Sequence, residues 1–146
     1  MRTSNTLPLA ALLSSFFIAG GAHAGSVTVT DGWIRAMPGK TPAGGYFTLS
    51  NDSGYRVVLT GASSPACGML MLHKTDTESG MASMNDVANI PIAVGQHLSF
   101  APGGYHLMCM EPTAQIEPGN KVPVTLVFED GAKVTTTFVV RNAAGH

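Results

Sequence analysis

From residue 26 onward, short runs of alternating apolar and polar residues are separated by clusters of Gly, Pro, Asn and Asp. Residues 26–35 (SVTVTDGWIR) open with an apolar residue at every second position, the period of a strand with one buried face. Stretches 46–51 and 55–60 are rich in β-branched and aromatic residues, and the turn-forming Asn51-Asp52-Ser53-Gly54 lies between them. Residues 68–74 form a further apolar run that reaches His73. Stretches 96–100 and 105–110 flank Ala101-Pro102-Gly103-Gly104. Pro followed by Gly suits the centre of a type II turn, so this pair is predicted to form a hairpin. Stretches 122–129 and 132–141 predict a second hairpin around Asp130-Gly131. No stretch sustains a helical period, and the polar segment 75–89 is expected to be a long loop. Seven to nine short strands predict an all-β fold, an antiparallel sandwich or Greek-key barrel, forming a single domain over residues 25–146.

The first 24 residues follow a different pattern. Arg2 is followed by an apolar run over residues 7–21 and then by Ala22-His23-Ala24, which together predict a secretory signal peptide cleaved after Ala24. The run is shorter than the ~18 apolar residues of a spanning helix, and no longer one follows. No Cys stands at the cleavage site, so neither a lipid nor a transmembrane anchor is expected. These features predict an exported, periplasmic monomer. Without the leader, 7 basic residues stand against 9 acidic ones with no basic patch, which argues against nucleic acid as a partner. Export bears on the two cysteines, Cys67 and Cys109. An oxidising compartment favours a disulfide, but buried thiols or thiolate ligands fit the sequence equally well.

Methionine is the compositional oddity. Seven lie beyond residue 24, and six of these fall between residues 69 and 110. Methionine most often fills cores. In 105–110, however, strand periodicity puts His106, Met108 and Met110 on one face and Tyr105, Leu107 and Cys109 on the other. A histidine on an apolar strand needs a partner to offset its lost hydration. Zinc rarely takes a thioether, and calcium and magnesium want oxygen ligands, whereas Cu(I) accepts imidazole and thioether together. Thioethers also form no disulfides, which suits a copper site outside the cytoplasm. A blue-copper centre needs two His and a Cys in an order this chain lacks, because Cys109 follows His106 and the only later histidine is the terminal His146. No G-x-S-x-G element and no phosphate-binding loop occurs, and Glu129-Asp130 is the only carboxylate pair, at a turn. An enzyme is not expected.

The run His73, ten residues, Met84, twenty-one residues, His106, one residue, Met108 resembles the His-x10-Met-x21-His-x-Met pattern of the PCu(A)C-type periplasmic copper chaperones. Gly32-Trp33-Ile34-Arg35, Ala43-Gly44-Gly45-Tyr46-Phe47 and Pro102-Gly103-Gly104-Tyr105-His106-Leu107-Met108 are similar to the same family. The resemblance implies a cupredoxin-like β-sandwich that binds one Cu(I) through His73, Met84, His106 and Met108. It also implies delivery towards the CuA centre of cytochrome c oxidase, with a CuA domain or a Sco-type thiol protein as the acceptor. Where family members often carry an acidic residue after the first histidine, this chain has Lys74. Met81 competes with Met84 for the loop ligand, and the spacing favours Met84. Met110 is expected to pack, Met69 and Met71 to lie in the core or shield the site, Trp33 to be core with a ring near the site as the alternative, Tyr105 to lie at the rim, and His97 to be exposed on the partner strand of the hairpin. Two other functions fit the same residues: a copper storage or tolerance protein, and a metal-free β-sandwich interaction module.

Overall fold

The computed structural model describes residues 26–146; the leader predicted over residues 1–24, with its cleavage site, lies outside them. Among the described residues the regular elements are ten strands: β1 (Val27–Arg35), β2 (Ala43–Asn51), β3 (Val57–Ser63), β4 (Cys67–Asp76), β5 (Ser83–Asp86), β6 (Ile90–Ile92), β7 (His97–Phe100), β8 (Tyr105–Pro112), β9 (Lys121–Phe128) and β10 (Lys133–Arg141). Seven of them close a barrel in the order β4, β8, β2, β1, β10, β9, β3, and Ala62 opposite Leu70 completes the ring between β3 and β4. Closure removes most sheet edges. Strands β5, β6 and β7 add to β4, β3 and β2. The all-β barrel expected from the sequence is the fold that forms, with one departure: β1 and β10 run parallel.

Alternating residues fill the interior: Phe47 and Leu49 from β2, Leu70 and Leu72 from β4, Leu107 and Cys109 from β8, Phe138 and Val140 from β10. Phe47 stacks on Phe100 with ring centres 4.2 Å apart. The outward residues of β4 and β8 are therefore available for chemistry without cost to the core.

Three local readings are corrected. First, Trp33 is not core. The bulge between Thr30 and Trp33, with Asp31 at φ 56°, resets the alternation of β1. Val27 and Val29 pack against the core before it, Ile34 is buried after it, and Trp33 and Arg35 turn outward. Second, β7 and β8 do not form a hairpin. The type II turn exists, with Gly103 at φ 85° and the Gly104 amide donating to the Ala101 carbonyl at 3.0 Å. Both strands nevertheless run antiparallel to β2, β7 along Phe47 to Ser50 and β8 along Ala43 to Gly45, because β2 is long enough to pair with each in turn. His97, exposed as expected, therefore faces Ser50 rather than β8 and meets its hydroxyl at 2.7 Å. Third, segment 75–89 is not one long loop. Its residues Ser83–Asp86 form β5 against the end of β4. All four are exposed, so no apolar alternation marked them as a strand.

Cys67 and Cys109 form a disulfide between β4 and β8, with Cα atoms 5.4 Å apart. By strand parity Cys67 should face outward with His73, but it is buried. Beside it the ladder is distorted: Glu111 adopts φ 48°, and its side chain lies where a Cβ on Gly68 would stand. The bond closes a loop with a sequence separation of 42, for which chain entropy gives a contribution of about 4 kcal/mol. Replacing both cysteines by alanine should lower the unfolding free energy by roughly that amount, with a matching fall in the urea midpoint. A loss below about 1 kcal/mol would show that the bond does not constrain the unfolded chain.

Candidate metal centre

The site is built on the outer face of the β4–β8 pair. Register places His73 directly opposite His106 and Met71 opposite Met108. The two imidazoles meet edge to face with ring centres 5.7 Å apart. On the far side of β4, β5 sets Asp86 opposite His73 and Met84 opposite Thr75, so Met84 is a diagonal neighbour of His73 on the same face. His106, Met108 and Met84 line one open pocket of about 340 Å³, and His73 adjoins it through the His106 ring. Met81 is absent from the pocket lining and lies 77% exposed in the turn before β5.

His106 is 3% exposed. Its Nδ1 lies 3.0 Å from the Gly104 carbonyl, which can only accept, so Nδ1 carries the proton and Nε2 holds a lone pair. That Nε2 is buried with no hydrogen-bond partner among the described residues. For a neutral imidazole this is an uncompensated loss of hydration unless a ligand fills the position. His73 Nδ1 is likewise without a partner. His73 Nε2 lies 2.7 Å from Asp86 Oδ1, in contact but without hydrogen-bond alignment. Among the described residues no three His, Cys, Asp or Glu side chains converge, and the side chains that share the pocket with His106 include the thioethers Met84 and Met108. The disulfide leaves no thiolate to compete, and Cys109 faces the core as its parity requires.

On the other side of His106 the rings continue across the sheet. Tyr46 lies 6.4 Å from His106, and Trp33 lies 4.8 Å from Tyr46. The Arg35 guanidinium stands 5.3 Å from the Trp33 ring and 5.5 Å from the Tyr46 ring, and Arg35 lines the same pocket. Gly44 makes room for this arrangement, since a Cβ there would meet the Tyr46 hydroxyl at 2.6 Å. Donors of this kind are neutral. Arg35 adds a positive neighbour, and Asp86 is the one carboxylate in contact with a histidine of the pair.

Residues 27–140 match the LpqE-like family model. The chain belongs to the LpqE-like family. It is also 35% identical over 127 residues to "Putative lipoprotein Lxx21020" of Leifsonia xyli, an alignment that takes in 86% of this chain and 75% of that protein. Several solved structures share the fold, two of them with copper bound. The Cu(I) form of DR1885 from Deinococcus radiodurans, a solution structure, is 34% identical with a TM-score of 0.64, over 84% of this chain and 83% of that one. The copper-bound PCuAC domain from PmoF2 is 24% identical with a TM-score of 0.66, over 82% and 95%. The resemblance read from the sequence is thus to the right, PCuAC-type family.

Within this LpqE-like barrel, all four residues singled out by spacing lie on one face, and three of them share a pocket. The sequence leaves a ring near the site as an alternative for Trp33, but gives Arg35 and Tyr46 no place beside the histidines. The glycine pair before Tyr46 was the available signal, because glycines in a strand mark close approach by a neighbouring group. Lys74 turns away from the pair, with its ammonium 5.5 Å from the Tyr105 ring. Tyr105 is half-buried and also packs on Phe100.

If His106 is kept for a ligand rather than for folding, the metal-free protein should tolerate its loss. His106→Leu removes the orphaned Nε2 along with one hydrogen bond, and should leave the unfolding free energy within about 1 kcal/mol of the parent or above it. Denaturation in the presence of a metal chelator checks this. A loss of several kcal/mol would make His106 a structural residue.

Proposed function

We propose that this protein binds Cu(I) through His73, Met84, His106 and Met108 and hands it to a copper-accepting protein outside the cytoplasm. The observation that carries the reading is the buried, unpartnered Nε2 of His106 in a pocket shared with Met84 and Met108. Two imidazoles and two thioethers form a soft, neutral set that suits Cu(I) and needs no deprotonated ligand. Support comes from the relative solved in its Cu(I) form, which is 34% identical. Export follows from the leader-like residues 1–24 and from the lipoprotein name of the curated relative. The acceptor in this reading is the CuA domain of cytochrome c oxidase or a Sco-type thiol protein, with copper passed towards the CuA centre.

Transfer needs ligands that leave one at a time. His106 and Met108 are fixed in β8 between two neighbouring strands. Met84 sits on the four-residue edge strand β5 with its side chain 60% exposed, so it is the ligand a partner meets first. Its release depends on rotation of a long, flexible side chain, and β5 can remain in place. Asp86 beside His73 provides a negative charge that favours a bound cation.

An anaerobic Cu(I) competition titration should show one tight equivalent, absent from the His106→Ala, Met108→Ala double variant. Met84→Leu should keep that equivalent at least tenfold more weakly, about 1.4 kcal/mol, and alter the rate of transfer to a purified CuA domain. Binding indifferent to the double variant would sink the reading. Tight binding without transfer to a CuA domain or a Sco-type protein would turn the protein into a copper store.

A further inference from the structure

The outer face of β4 and β8 continues beyond the histidines. Three successive cross-strand rows carry only soft donors: His73 opposite His106, Met71 opposite Met108, and Met69 opposite Met110. The proposed centre uses the first row and Met108, and leaves Met69, Met71 and Met110 without a role. These three are not core filler. The inward positions between them, Leu70, Leu72, Leu107 and Cys109, are buried and already fill that part of the barrel. Met69 is 57% exposed, and Met71 and Met110 are half-buried. Solvent-facing strand positions favour β-branched or polar residues, so three unbranched thioethers at adjacent positions run against local preference.

Their placement suits a single soft ion. Directly opposite residues have Cβ atoms about 4.5–5.5 Å apart and diagonal ones roughly 7–8 Å. Met69 faces Met110 directly, and Met71 is its diagonal neighbour. Three rotatable bonds in each side chain let the sulfurs converge. A carboxylate stands at the end of the ladder. Glu111, held at φ 48°, folds its side chain over Gly68, where a Cβ would lie 2.6 Å from Oε2. Glu111 and Met110 line the same surface pocket as Lys40, so the carboxylate there is matched by an ammonium. Soft neutral donors, with no thiol or third imidazole, describe a site for a monovalent soft cation.

We propose that Met69, Met71 and Met110 form a second Cu(I) site, weaker than the histidine centre because it lacks imidazole. The proposal rests on the copper reading above. Met71 and Met108 face each other between the two sites, so Cu(I) can move along the ladder by exchanging one thioether for the next. Each step makes one Cu–S bond and breaks another; the metal stays Cu(I), and no proton or electron is transferred. The ladder thereby becomes an entry path that feeds the histidine pair.

The test is an anaerobic Cu(I) titration against a chromophoric chelator with three proteins: the parent, Met69→Leu/Met110→Leu, and His106→Ala/Met108→Leu. Leucine nearly conserves volume at these outward positions, and circular dichroism checks the fold. The parent should take two equivalents, the second at least tenfold weaker. The Met69/Met110 variant should lose only the weak equivalent, and the His106/Met108 variant only the tight one. With Ag(I) as a redox-inert probe and 13C-methyl methionine, the second equivalent should shift the methyl signals of Met69, Met71 and Met110. Saturation of the parent at one equivalent, two equivalents in the Met69/Met110 variant, or a second equivalent that moves only Met37 and Met81 would each overturn the second site. Failure of the copper reading itself has a separate signature, a tight equivalent that survives in the His106/Met108 variant.

Discussion

The register between β4 and β8 is the constraint on which the site depends. It alone sets His73 opposite His106 and stacks the methionine rows beneath them. A slip of one residue would turn His106, Met108 and Met110 towards the core and push Leu107 and Cys109 into water. The barrel guards against this at both ends of the pair. At one end the Cys67–Cys109 disulfide ties the strands covalently through the inner face. At the other the Thr75 amide donates to the Gly104 carbonyl, the oxygen that also accepts from His106 Nδ1. One carbonyl therefore helps to hold the strand ends together and fixes which nitrogen of His106 is left open.

The inner and outer faces of β8 divide two kinds of sulfur chemistry within three residues. Met108 and Met110 face outward, and Cys109 between them faces the core. A thiolate at the outer face would bind copper strongly and would also be the first group oxidised outside the cytoplasm. Thioethers need no deprotonation and hold the metal less tightly, a condition for passing it on. Methionine is still open to sulfoxidation, and the exposed Met69 and Met84 are the vulnerable positions.

What could be read from the sequence was what is decided locally. The face shared by His106, Met108 and Met110 follows from period two in a regular strand. The turn at Pro102-Gly103 and the hairpin at Asp130-Gly131 follow from the backbone freedom of their glycines. Distant partners and resets of the alternation were not legible. Trp33 moved outward because a single left-handed Asp31 shifts the phase of β1, which no hydrophobic pattern announces. Met84 joined a strand because β4 offered a free edge to a fully exposed segment. Strand β7 chose β2 over β8 because pairing depends on which edges the whole barrel leaves open. Tyr46 and Arg35 come near His106 only through the β1–β2–β8 adjacency, a non-local fact.

The parallel pairing of β1 with β10 has a spatial consequence. The pocket that holds His106 lies beside the last residues of β1, where Trp33 and Arg35 sit, whereas β1 begins at Val27 next to Asn51. At about 3.3 Å per residue the two ends of β1 are separated by roughly 25 Å. Val27, where β1 starts, therefore lies at the end of the barrel remote from the pocket. A protein docking over the histidines therefore approaches the opposite end of the barrel from the one where β1 begins.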